Sequence, residues 1–154
     1  MEPFIDSLRK SYPELHFMVG SQCYWSPETQ TIVYEAGGAN AHIWSVLHEL
    51  GHALLGHTSY KSDIELLQKE MLAWEKAREL ARAYAVHIDN DHVQECLDSY
   101  REWLSRRSTC PNCRIKTLQT SPESYQCFNC SLTWRVTPAR HSRTYRRKTK
   151  TALQ

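Results

Sequence analysis

His48-Glu49-Leu50-Gly51-His52 decides how the rest of this chain reads. Residues four apart on an α-helix stand one above the other, so His48 and His52 can hold a single zinc ion between them. Glu49 lies about 100° round the same helix. From there it can take a proton from an attacking water and pass it to a leaving amine. The flanks support a helix. Asn40 is placed to cap it, and Ile43, Leu47, Leu50 and Leu54 form an apolar stripe that runs towards Gly56. His57, five residues after His52, misses the spacing of a third histidine ligand in the metzincin pattern. It reads as a basic residue favoured at a helix C-terminus.

Upstream, residues 2–12 read as a short helix carrying Phe4, Ile5 and Leu8, ended by Pro13. Leu15–Val19 and Thr31–Tyr34 read as strands. Downstream, Ser62-Asp63-Ile64-Glu65 is a capping box that opens a long helix towards Ile88. Asp89-Asn90-Asp91 interrupts it and caps another helix to about Arg106. On the long helix Leu66, Ala73, Trp74, Ala77, Ala81, Tyr84 and Ile88 share a face with Glu70. A carboxylate inside a buried stripe is costly unless it is paired or bound to metal. Glu70 is therefore favoured as the third ligand over Glu75, which falls on the charged face. Tyr34, His42, Tyr84 and His87 are candidates to stabilise the oxyanion.

Six cysteines are present. Cys110-Pro-Asn-Cys113 and Cys127-Phe-Asn-Cys130 are two CxxC knuckles at the spacing of a four-thiolate structural zinc site. Two zinc ions are expected, one catalytic and one structural. Cys96 lies on an apolar helix face. Cys23 stands alone before Tyr24-Trp25, and a loop folded over the cleft would make it an inhibitory fourth ligand.

The net charge of +2 hides an asymmetry. Residues 1–105 hold 8 Lys+Arg against 16 Asp+Glu, whereas residues 106–154 hold 11 against one. The basic part suits a polyanion. Arg114, Lys116, Trp134, Arg135, Arg140, Arg143, Arg146, Arg147 and Lys148, with Tyr125 and Phe128 among them, suit phosphate neutralisation and base stacking, as on single-stranded DNA. The expected division is a peptidase domain over 1–107, a zinc ribbon over 108–137 and a disordered basic tail over 138–154. The fold class is α+β, helices with a short sheet, followed by the ribbon. No run is long enough for a membrane span and no secretory signal is visible, so a cytoplasmic protein is expected.

The HExxH helix, with Gly56-His57 beyond it and Glu70-x-x-Ala73-Trp74-x-x-Ala77 on the next helix, resembles the ImmA/IrrE-type metallopeptidases. These are small, gluzincin-like enzymes, and the resemblance covers roughly residues 1–105. It implies zinc on His48, His52 and Glu70, with Glu49 as general base. It makes Thr31–Tyr34 the edge strand that pairs with an extended substrate. It also implies a protein substrate, commonly a DNA-binding repressor encoded nearby. In joining such a domain to a C-terminal zinc module the chain is similar to the peptidases of repressor–peptidase pairs in CBASS anti-phage operons, which respond to DNA damage. Two alternatives stand beside this reading. One is a SprT-like protease acting on DNA–protein crosslinks, whose third ligand is a histidine. The other is a nucleic-acid-binding protein with a relic metal site.

Overall fold

The computed structural model describes residues 1–37, 39–137 and 144–149, and these form an α+β arrangement of four helices and two small sheets. The chain divides into two units, Met1–Ser59 with Gln68–Val93, and Tyr60–Leu67 with Gln94–Gln154. No helix among the described residues is long and apolar enough to cross a membrane.

In the first unit, α1 (Glu2–Ser11) opens with Glu2 and Pro3 and closes with Arg9 and Lys10, charges that complement its dipole. It buries Ile5 and Leu8. Three strands follow, β1 (His16–Gly20), β2 (Tyr24–Ser26) and β3 (Thr31–Glu35), in the order β1-β3-β2. The expected edge strand is thus the central one. β3 pairs parallel with β1 and antiparallel with β2, and Thr31, Ile32, Val33 and Tyr34 are all buried. A strand enclosed on both sides and both faces reads as a continuous β-branched and aromatic run, and Thr31–Tyr34 is one. β2 is an edge.

Helix α2 (Asn40–Leu54) takes Ala39, not Asn40, as its N-cap, and that end has no side-chain cap. It buries Val46, Leu47, His48, Leu50 and Gly51. Its C-terminus turns on Gly56 at φ +63°, with the His57 N–H donating to the His52 carbonyl at 3.0 Å. That is a left-handed glycine cap. Helix α3 (Asp63–Ala83) starts at the expected Ser62 cap, with the return bond falling one residue before it. The Glu65 N–H donates to Ser62 Oγ at 3.2 Å, and Glu65 in return accepts from the Lys61 N–H at 2.8 Å. It stops short of the expected Ile88. Ala85 takes φ +51° and the Val86 N–H closes onto the Ala81 carbonyl at 2.8 Å. Helix α4 (Asn90–Ser108) begins with the Asp91 N–H donating to Asp89 Oδ1 at 3.0 Å.

The second unit contains the first turn of α3, most of α4 and an antiparallel sheet of β4 (Gln119–Ser121), β5 (Ser124–Gln126), β6 (Thr133–Val136) and β7 (Arg146–Lys148). Residues 60–67 and 94–107 group with the cysteine-rich segment, and residues 146–148, within the expected tail, are a strand, with Arg147 opposite Arg135 and Lys148 opposite Trp134. A buried ion pair lies within this unit. Arg107 is 1% exposed and reaches Asp63 through Nε at 2.5 Å and Nη2 at 3.2 Å. Its guanidinium also donates to the Pro122 and Thr137 carbonyls, and lies 4.5 Å from the Trp103 ring centroid. The Tyr125 hydroxyl donates to Asp63, and Gln119 Oε1 accepts from the Asp63 N–H at 2.7 Å. Each polar group in this network is thereby satisfied by the others. Tyr125 and Trp134 stack with centroids 5.6 Å apart beside Cys110, Cys127 and Val136.

Candidate metal centres

Two groups of side chains among the described residues place their ligand atoms close enough to hold a metal ion, and each lies within one unit. The first is His48, His52 and Glu70. Its precondition is the close approach of α2 and α3. A Cβ on Gly51 would sit 2.6 Å from the Ala73 carbonyl oxygen, so only glycine lets the two backbones come so near. Glu70 then reaches across. His48 Nε2 lies 3.1 Å from His52 Nε2 and 3.1 Å from Glu70 Oε2, and His52 Nε2 lies 3.6 Å from Glu70 Oε1.

Those spacings fit a metal. An ion held tetrahedrally at about 2.0–2.1 Å spaces its ligand atoms about 3.3–3.4 Å apart. Two imidazole nitrogens and a carboxylate aimed at one point are the donor set of a site with an open fourth position. Burial pushes the Glu70 carboxyl up, but hydrogen bonds from His48 and His52 and their charges outweigh it and hold Glu70 well below the usual carboxylate range. Glu75 is on the exposed face.

Glu49 stands beside the group without joining it. Its Oε2 accepts the backbone N–H of Trp25 at 2.9 Å. Burial, reinforced by the charge of Glu70, raises its pKa, while His48, His52 and the Trp25 N–H oppose the rise. Trp25 has a second contact, its indole N–H donating to the His57 carbonyl at 3.0 Å. The His57 ring turns back so that its Nδ1 lies 2.9 Å from His52 Nδ1. His57 is thus more than a charge at a helix end, and burial, then the charges of His52 and Lys69, lower its pKa. Spacing along the helix carries no sign of that contact, because the glycine turn at 56 makes it. His48 has no such neighbour. Its buried Nδ1 has no hydrogen-bond partner, and its ring stacks on Trp74 at 4.3 Å.

Cys23 is outside the group of converging ligands. Burial, then the negative charges of Glu49 and Glu35, push its thiol far up. Among the oxyanion candidates, the Tyr34 hydroxyl donates to Glu2 at 3.1 Å, His42 Nδ1 lies 3.4 Å from Glu35, and the Tyr84 ring meets Phe4 edge-on.

The second group is Cys110, Cys113, Cys127 and Cys130. Cys110 and Cys130 sulfurs lie 3.6 Å apart, and those of Cys113 and Cys127 3.4 Å apart. A disulfide needs about 2.05 Å, whereas a tetrahedral ion with sulfurs at about 2.3 Å needs about 3.8 Å between them. The knuckles are built alike. The Arg114 N–H donates to the Cys110 carbonyl and the Ser131 N–H to the Cys127 carbonyl, with both residues at positive φ, +62° and +57°. The Ile115 N–H and the Asn129 side chain lower the Cys113 pKa to about 6, and the Leu132 N–H lowers that of Cys130. These are amides turned towards the two sulfurs.

The expected nucleic-acid contacts divide. Arg114, Lys116, Arg146, Arg147 and Lys148 are exposed. Arg135 is exposed and paired with Glu123 at 3.0 Å, and Arg146 donates to the Thr109 carbonyl at 2.9 Å. Trp134 is not a contact. It is fully buried, with its indole N–H donating to the Arg107 carbonyl at 3.0 Å. Inward and outward residues alternate along β6, which turns Trp134 and Val136 in and Arg135 out. Phe128, 75% exposed, is an aromatic on this unit's surface, and Tyr145 and Tyr60 are exposed there too. Arg140 and Arg143 lie outside the described residues.

The chain matches no protein-family model, no curated protein and no solved structure.

Proposed function

We propose that this chain is a zinc-dependent endopeptidase of gluzincin type, followed by a four-cysteine zinc ribbon. The observation that carries the reading is the convergence of His48, His52 and Glu70 with a separately held carboxylate, Glu49, beside them. A zinc ion on those three ligands would polarise a peptide carbonyl and make a nearby water more acidic. The chain's own part is proton handling. Glu49 takes a proton from the water as its oxygen attacks the carbonyl carbon, then gives it to the amide nitrogen as the C–N bond breaks. Before any peptide arrives, the Trp25 N–H holds one carboxylate oxygen beside those ligands. Glu70 in the third position favours this class over a SprT-like protease, whose third ligand is a histidine.

The substrate in this reading is a DNA-binding repressor, and nucleic acid released by damage or stress, most simply single-stranded DNA, is the trigger. Exposed Phe128 and the exposed cations of β7 support the second part. The test incubates the zinc-loaded chain, with and without a single-stranded oligonucleotide, with the repressor of its own operon and with casein. Wild type and Glu49→Gln are compared. Cleavage should need Glu49 and fall by about 10²–10⁴-fold in Glu49→Gln. Zinc content should not change. Equal cleavage by the two proteins would overturn the peptidase reading, and cleavage indifferent to DNA would remove the trigger.

A further inference from the structure

We propose that His57 is a positioning residue that sets the tautomer of His52 and thereby the affinity of the His48–His52–Glu70 site for metal. The proposal rests on the reading of those three residues as one metal site.

The two ring nitrogens of His52 face different neighbours. Nε2 faces His48 Nε2 at 3.1 Å and Glu70 Oε1 at 3.6 Å, and Nδ1 faces His57 Nδ1 at 2.9 Å. An imidazole nitrogen ligates only through a free lone pair, so ligation through Nε2 requires the His52 proton on Nδ1. Two nitrogens at hydrogen-bond distance share one proton. With it on His52, His57 Nδ1 is the acceptor and His57 carries its own proton on Nε2. The opposite arrangement, with His57 donating, puts the His52 proton on Nε2, inside the ligand group, and blocks the site. The hydrogen bond therefore couples ligation to the His57 tautomer.

His57 is built to hold this position. Gly56 at positive φ turns the chain, the His57 N–H donates to the His52 carbonyl, and the Trp25 indole holds the His57 carbonyl. The His57 ring meets that of His52 edge-on at 5.0 Å and 66°. His48, stacked on Trp74 with no partner at Nδ1, is oriented by packing instead.

The test compares the full chain with His57→Phe, which keeps a ring without the nitrogen, and His57→Asn, whose Oδ1 can accept from His52. Zinc affinity is read by chelator competition, and cobalt loading separates the sites, since only the cysteine site shows thiolate charge transfer. Wild type should bind two equivalents. His57→Phe should weaken the equivalent without thiolate bands by about 10–100-fold and leave the other unchanged, and His57→Asn should stay near wild type. His57→Ala, with no ring to misfit, repeats the loss if His57→Phe does not fold. Unchanged affinity in His57→Phe and His57→Ala, or equal loss in His57→Phe and His57→Asn, would overturn the role. A wild type that binds one equivalent overturns the metal reading and this inference with it.

Discussion

Glu70 is 6% exposed on a helix face that it shares with Ala73, Trp74, Ala77 and Ala81. A lone carboxylate there would cost several kcal/mol, so its environment must supply a partner. Glu70→Gln should abolish uptake of one zinc equivalent, whereas Glu75→Gln on the exposed face should bind metal as wild type does; elemental analysis after dialysis separates the two. This much was legible in the sequence, because the spacing of two histidines on one helix and an acid in an apolar stripe are local patterns. The part played by His57 was not. It depends on a left-handed turn and a rotamer that return a side chain to the helix it has just left. Trp134 misled for a related reason. Aromatic residues among cations look the same in one dimension whether they face solvent or core, and strand alternation decided the matter.

At the scale of elements, the crossing of α2 and α3 depends on what Gly51 lacks. Gly51→Ala places a methyl 2.6 Å from a backbone oxygen that no rotamer can move. The helices must separate, at about 1–3 kcal/mol of stability as in overpacked cores. Thermal melting should show a lowered Tm, and zinc affinity should fall with it, since Glu70 retreats with α3. A melting point equal to wild type would show that the contact yields freely. Elements with periodic patterns and capping boxes were readable in advance, and α3 and α4 start where their side-chain caps put them. The end of α3 was not, because an alanine at positive φ carries no signal of a stop. Nor was β7, a strand of Arg-Arg-Lys whose composition reads as a solvated tail.

At the scale of the whole molecule, each unit has its own metal-ligand group and its own core. In the second unit the Asp63–Arg107 pair joins residues 44 apart in sequence, a distance at which charges give no hint of partnership. Arg107→Met should cost about 3–5 kcal/mol in urea denaturation, because Asp63 is left buried without a countercharge. Asp63→Leu with Arg107→Met should cost less than either single change. Arg107→Lys should not rescue, since one ammonium cannot serve two carboxylate oxygens and two carbonyls. Additive losses in the double variant would rule out the coupling. Chelation should bear hardest on this unit. Cys110 and Cys127 form part of its core, and a metal ion held by the four cysteines would contribute folding energy. Loss of the Tyr125–Trp134 near-ultraviolet dichroism on adding chelator, reversed by zinc, is the expected signal.

The bond between the Trp25 amide and Glu49 ties two kinds of occupancy together. That N–H faces Glu49 and not β3, and in the proposed peptidase it belongs to an edge strand to which an extended substrate would add. The donor is already committed to the carboxylate. A peptide that claimed it would release Glu49, and a Glu49 held fast would weaken that peptide. The two events carry a single coupling free energy, felt equally from either side. Short peptides that pair along β2 without presenting a scissile bond would then act as competitors whose grip tightens when Glu49 is replaced by an apolar residue.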